Sequence, residues 1–375
     1  MHELNLDLHG LVRVWAPELS SEVYSGLQYF LGEFLRDEKM DLESLDVLLL
    51  PLASAKLKEA LDAIQPSPYG MSFVQHSGEN GIVFNFRGKP DLVLMLGERI
   101  TVYYTPRKNN LRRIYGLLLF STNLVLHKKR GLLYHGAAAT KDNTALLLTG
   151  LRGAKKTQLL LTMLREGWNY LSDDKLIIQG GKMYTFQDLV PIADHHVAGL
   201  PWLYDFLPPH SRRQKAPMAR ELRRYIAGFS RRFFSKYFLP MMERIYDPQS
   251  NLKVQQIFPD CSIVESAVPS AVILLSLGDK VDCFPIESEG VLEEVTAIES
   301  LVFYSMGPLE QLVFFCNKSF KVSVETIIRN NLEQYPFYRL QIPGNADIEH
   351  VYQVLLKKVV SQVGSGTASA NPLIS

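Results

Sequence analysis

The sequence predicts an α/β protein in two parts, a mixed N-terminal module and a larger domain built around one strand–loop–helix unit. Four observations carry that prediction. Short β-like runs separated by Gly, Pro and Asp fill much of residues 1–106. Two apolar runs, Leu132–Thr140 and Ala145–Thr149, are joined by the turn-like Lys141-Asp142-Asn143. Directly after them, Gly150–Thr157 leads into a helix from about Lys156 to Glu166. Past Gly167 a second buried-strand pattern, Trp168–Ile178, carries the adjacent carboxylates Asp173 and Asp174.

Composition sets the outer bounds. A chain of 375 residues is long enough for two cores, and 47% hydrophobic with 21% charged residues is ordinary globular usage. A net charge of +1 argues against a generally polyanion-binding surface, so nucleic acid is not an expected partner. Cys261, Cys283 and Cys316 lie far apart, with no C-x-x-C spacing for zinc or a disulfide framework. They fit a reducing cytoplasm. The start, Met-His-Glu-Leu-Asn-Leu-Asp, lacks the apolar core of a secretory signal. The longest apolar stretch, Tyr115–Leu126, is broken by Ser121, Thr122 and Asn123, so no membrane span is expected.

Taken in order, Leu11–Trp15 alternates like a strand, and Ser20/Ser21 reads as the cap of a helix reaching about Leu35. Val47–Leu52, Met71–Val74, Gly81–Phe86, Leu92–Leu96 and Ile100–Tyr104 read as strands. The polar, Pro-containing Thr105–Asn110 marks the junction, which gives a module over 1–106, a domain over 107–363 and a disordered tail over 364–375. From Asn110 to Lys129 the apolar spacing is helical. The closing His127-Lys-Lys-Arg130 reads as a solvated last turn whose charge complements the helix dipole. Gly180-Gly181 makes a hairpin into Lys182–Phe186. Adjacent His195 and His196, after Asp194, lack the spacing that aims two ligands at one metal. Ser211–Lys236 holds nine Lys/Arg against one Glu and reads as an amphipathic basic helix. It is open to a solvated face, a clamp on nucleotide or acceptor, an acidic partner's dock, or a nucleic-acid or membrane surface. Ala271–Leu277, Val281–Pro285 and Phe337–Ile342 read as strands, with helices near Gly290–Ser305, Leu309–Cys316 and Ile348–Val360.

The chemistry concentrates in Gly150-Leu151-Arg152-Gly153-Ala154-Lys155-Lys156-Thr157. Strand, Gly-containing loop, Lys-Thr and helix is the order that cradles phosphates. Backbone N–H groups and the helix N-terminus would hold the anion, Lys156 would neutralise charge, and Thr157 would ligate Mg²⁺. The pattern G-x-x-x-x-G-K-[ST] is broken at one place, since Lys155 stands where its second glycine belongs. A non-glycine residue at positive φ costs about 1–2 kcal/mol, which the added charge of Lys155 near a phosphate would offset in part. In an alternating strand, Asp173 and Asp174 would point to opposite faces unless the strand ends there.

Tyr134-His135-Gly136-Ala-Ala-Ala before the loop and Tyr170-Leu-Ser-Asp-Asp-Lys-Leu after it resemble the HPr kinase/phosphorylase-like kinases. The resemblance is close over about residues 111–186 and looser to about 360. It implies a P-loop HPr-kinase-like domain that uses ATP and Mg²⁺. In that reading Asp174 acts as base on the acceptor hydroxyl, Asp173 supports either Mg²⁺, beside Thr157, or the loop, and His135 lies near the transferred phosphoryl group. On the residues alone, a lone histidine on a buried strand such as His135 is more often a satisfied core residue than a catalyst. The family's Gly-rich signature after the acidic strand and its conventional acidic metal ligand are missing here. The expected function is ATP-dependent transfer of phosphate to a hydroxyl of a protein, peptide or small molecule. The alternative is a nucleotide-sensing or scaffold protein that kept the kinase fold without catalysis. A homo-oligomer is compatible with either.

Overall fold

The computed structural model describes residues 2–38, 41–52, 61, 71–86, 89–106, 111–186, 189–209, 250–304 and 324–366. The content is mixed α/β, as the sequence predicts, and the chain divides into two compact units. One comprises Met1–Tyr134, Ile177–Lys182 and Leu292–Glu333; the other comprises His135–Leu176, Met183–Val291 and Gln334–Ser375. The helix Leu111–Lys128 therefore belongs with the N-terminal residues.

The first unit holds a seven-stranded sheet of β1 (His2–Leu8), β2 (Val12–Leu19), β3 (Val47–Pro51), β4 (Met71–His76), β5 (Glu79–Phe86), β6 (Lys89–Leu96) and β7 (Ile100–Tyr104). Its order is β1-β2-β3-β7-β6-β5-β4, with β3 parallel to both β2 and β7. Strand β1 was not anticipated, although Leu4, Leu6 and Leu8 alternate along it and are all buried. Between β2 and β3, Ser20 caps the helix Ser21–Leu31 by accepting from the Val23 N–H at 3.4 Å. The helix buries Val23, Leu27 and Leu31 at its four-residue spacing.

In the helix Leu111–Lys128 the polar triplet Ser121, Thr122 and Asn123 is buried rather than solvated. Asn123 accepts from the Leu133 N–H at 2.8 Å, which ties the helix to β8 (Leu132–Tyr134). The expected solvated last turn needs correcting at His127, which is only 4% exposed. Burial lowers its imidazole to about 4, so it is neutral at pH 7 and adds no cation at the helix end. The helix Val324–Leu332 carries no strong sequence signal, yet Asn331 makes it structural. Its amide accepts from Gly181 N at 3.0 Å and donates to Ile327 O at 2.7 Å and Arg130 O at 3.1 Å.

The second unit carries β9 (Ala137–Lys141), β10 (Thr144–Gly150), β11 (Asn169–Ser172), β12 (Leu176–Gln179), β13 (Lys182–Tyr184), β14 (Leu189–Ile192), β15 (Ser250–Lys253), β16 (Ser266–Ala267), β17 (Ala271–Leu277), β18 (Asp282–Ile286) and β19 (Phe337–Ile342), although most of β12 falls in the first unit. Its six-stranded sheet runs β11-β9-β10-β17-β19-β18; β10, β17 and β19 are mutually parallel, and the flanking pairs are antiparallel. Every residue of β10 is buried, which is what a central strand covered on both faces requires. One face packs on Leu159, Leu160 and Met163 of the helix Lys156–Arg165 and on Val351 and Leu355 of the helix Ile348–Leu355. Trp168 Nε1 donates to Tyr352 Oη at 3.1 Å inside that core.

Two expected strands are interrupted. The run Leu132–Thr140 breaks at His135-Gly136, and Trp168–Ile178 breaks at Asp173-Asp174, so each is two strands. The expected helix Ile348–Val360 is α-helical to Leu355, makes a π-turn over Leu356–Val360 and continues as Ser361–Gly366. The basic segment Ser211–Lys236, the expected helix Leu309–Cys316, residues 107–110 of the Thr105–Asn110 junction and residues 367–375 lie outside the described residues. Among the described residues, no helix is long and apolar enough to cross a membrane.

His127 makes a pH prediction. Its folded value lies near 4 and its ordinary value near 6.5, so between those limits the unfolded chain binds the extra proton. Stability should be intact above about pH 6.5 and fall towards pH 4 by up to about 1.4 kcal/mol per unit. Thermal melts should show a shallower acid loss in His127→Gln than in the parent; parallel curves would contradict a buried neutral imidazole.

Candidate functional site

The site forms where β10 ends. Gly150 has φ +144°, and a Cβ there would lie 2.5 Å from the Leu275 carbonyl oxygen of parallel β17, so only glycine fits. The chain then turns through Gly153 at φ +86° and enters the helix Lys156–Arg165. A loop at the carboxyl end of central parallel strands, feeding a helix N-terminus, is where α/β sheets hold anionic ligands.

Lys155 occupies the N-cap position in the left-handed conformation, at φ +67° and ψ +20°. This is the backbone state that a glycine would supply. Its ammonium donates to Ala346 O at 2.9 Å, which places it on a neighbouring turn. Lys156 is buried, and its ammonium donates to Gly150 O at 2.6 Å and Leu151 O at 3.2 Å across the base of the loop. Leu151 and Arg152 are exposed at its tip, and Ala154 is half-buried against the core.

Thr157, in the first helical turn, donates its hydroxyl to both Asp173 oxygens at 3.0 and 3.2 Å. Asp173 follows the last residue of β11 and is 2% exposed. Burial first, and then the adjacent Asp174 carboxylate, push its carboxyl up to about 7 against the counteracting Thr157 hydrogen bond. Because β11 stops at Ser172, the two aspartates do not alternate along a strand. Lys175 N donates to Asp173 O at 2.7 Å and Asp174 sits at φ +63°, the geometry of a γ-turn. Ser172 stabilises the turn by donating to Lys175 O and accepting from Phe186 N at 3.4 Å.

His135 and Asp174 meet directly. His135 Nδ1 lies 2.9 Å from the Asp174 carbonyl oxygen and 3.3 Å from its carboxylate. Lys175 makes an ion pair with the same carboxylate, whose side chain is 41% exposed. Burial alone would raise Asp174. The Lys175 ammonium and the His135 contacts outweigh it and hold the carboxyl well below the usual carboxylate range. Lys175 was missed as a site residue; its only signal was its place in Asp-Asp-Lys.

Among the described residues no group of three or more His, Cys, Asp and Glu side chains could hold a metal. Mg²⁺ in nucleotide sites needs only one or two protein oxygens, with phosphates and water completing the octahedron. The Thr157 hydroxyl and the Asp173 carboxylate supply two hard oxygens side by side, and a cation would relieve the burial penalty on Asp173. The residues fit. The Asp194-His195-His196 triplet lies in the short helix Asp194–Gly199. There His196 Nδ1 accepts from Ala193 N at 3.1 Å and His195 O accepts from Gln158 at 2.9 Å. No protein-family model matches the chain, and no curated protein matches it.

The positive φ at Asp174 makes a stability prediction. Asp174→Gly removes the Cβ strain and Asp174→Ala keeps it, while both lose the same carboxylate contacts. The Gly variant should be the more stable of the two by about 1–2 kcal/mol in denaturant titration; equal midpoints would contradict strain at this residue.

Proposed function

We propose that this protein is an ATP-dependent kinase that transfers the γ-phosphoryl group to a hydroxyl of a protein, peptide or small molecule. One observation carries the reading: a first-turn threonine after a glycine-containing loop is hydrogen-bonded to a buried aspartate whose neighbour is a second, partly exposed carboxylate. The similarity of Tyr134–Gly136 and Tyr170–Leu176 to HPr-kinase-like sequences supports the same assignment.

In this reading, N–H groups of Gly153–Thr157 and the helix N-terminus receive the phosphates, and Lys156 leaves the Gly150 and Leu151 carbonyls to face them. Thr157 and Asp173 would hold Mg²⁺, which when bound neutralises charge on the phosphates. Asp174 remains ionised and orients the acceptor hydroxyl. The acceptor oxygen bonds to phosphorus as the bond to the ADP leaving oxygen breaks, and the hydroxyl proton passes to Asp174 and then to solvent. A weakly basic carboxylate suits this role, because a loose phosphoryl transition state needs orientation more than early proton removal. His135 and Lys175 fix its position.

A second reading has its own support: both loop lysines are engaged by backbone carbonyls, Lys156 within the loop and Lys155 at Ala346. A sensor that binds nucleotide without transfer would keep those contacts.

Calorimetry and phosphate release, with water standing in for the acceptor, separate the possibilities. Lys156→Ala should weaken Mg·ATP binding at least tenfold. Asp174→Asn should leave binding within about threefold while slowing phosphate release about 100-fold or more. Binding without release in the parent protein would select the sensor. No binding in the parent, or no effect of Lys156→Ala, would remove both readings.

A further inference from the structure

Lys155 is the residue that breaks the phosphate-loop pattern, and its surroundings explain how it is tolerated. Its backbone is left-handed, a state that L side chains adopt at a cost. Its side chain spans to a turn 191 residues away, where the ammonium donates to Ala346 O at 2.9 Å. That turn is closed by Ala346 N donating to Pro343 O at 3.0 Å. The next residue, Asp347, caps the helix Ile348–Leu355 by accepting from Glu349 N at 3.2 Å. The N-cap of the loop helix is thus fastened beside the N-cap of a second helix. The two helices are joined again by the Arg165–Glu349 ion pair at 2.5 Å. Burial works against the Lys155 charge, and the Asp347 carboxylate partly restores it.

We infer that Lys155 is a positioning residue: anchored on Ala346, it holds the left-handed loop conformation that a glycine would supply, and it ties the loop to the Pro343–Asp347 turn. Its ammonium is a structural anchor and not a phosphate ligand. The inference deepens the phosphate-binding reading above, yet the anchor itself exists without nucleotide.

Three variants of the full chain test it. Lys155→Met removes the donor and keeps the strained backbone, Lys155→Gly removes both, and Lys155→Arg keeps a cationic donor. In the nucleotide-free protein, Lys155→Met should raise amide hydrogen exchange about tenfold in residues 150–157 and also in 343–349, and Lys155→Arg should restore most of the protection. Pyrophosphate binding should weaken about tenfold in Lys155→Met and recover to within threefold of the parent in Lys155→Gly, because glycine needs no anchor. Unchanged exchange at 343–349 in Lys155→Met would overturn the anchor. Equal loss of pyrophosphate affinity in the Met and Gly variants would make Lys155 a phosphate ligand and overturn the inference. If the parent binds neither pyrophosphate nor Mg·ATP, the kinase reading fails, and the exchange measurement still decides the anchor.

Discussion

The hydrogen bond between Thr157 and Asp173 is the constraint on which the rest of the site depends. It joins the first turn of the loop helix to the turn after β11, residues sixteen apart in sequence whose strands, β10 and β11, are separated in the sheet by β9. Asp173 is fully enclosed, so its carboxyl cannot turn to solvent if the bond breaks. A buried oxygen left without its partner costs about 1–3 kcal/mol, enough to keep the two turns in register. With Asp173 fixed, the γ-turn fixes Asp174, and Asp174 in turn is the point that His135 and Lys175 reach.

Two strained residues bracket this contact. Lys155 and Asp174 both take positive φ without being glycine, one on the loop and one on the acidic turn. Each is held by side-chain contacts that a glycine would not make: Lys155 by Ala346, and Asp174 by His135 and Lys175. Local strain maintained by surrounding contacts is a mark of positions kept for more than packing. Asp174 carries the carboxylate that the proposed chemistry uses, and Lys155 holds the loop conformation that it needs.

Strands β17 and β19 and the helix Lys156–Arg165 were legible because each is a continuous apolar pattern with clear punctuation, Gly or Pro beside it or a glycine loop before it. The candidate site residues were legible as a motif, including the departure at Lys155. Their mutual contacts were not. Nothing local to Lys155 announces a carbonyl 191 residues away, and nothing in Asp-Asp-Lys announces a γ-turn in place of a strand. His127 looked solvated because it heads a basic run, and only tertiary burial shows it to be a neutral core group. Strand β1 was readable in the Leu4-Leu6-Leu8 alternation, but His2, Glu3 and Asp7 diluted its apolar signal.

In the proposed function, the loop Gly150–Thr157 and Asp173 together form a phosphate and Mg²⁺ site. A crystal structure with Mg²⁺ and a non-hydrolysable ATP analogue tests it most directly. Phosphate oxygens should lie within about 3 Å of backbone nitrogens of Gly153–Thr157, with the metal about 2.1 Å from the Thr157 hydroxyl and close to Asp173. A nucleotide bound away from this loop, or the Thr157–Asp173 contact unchanged beside a bound nucleotide that carries no metal there, would contradict it.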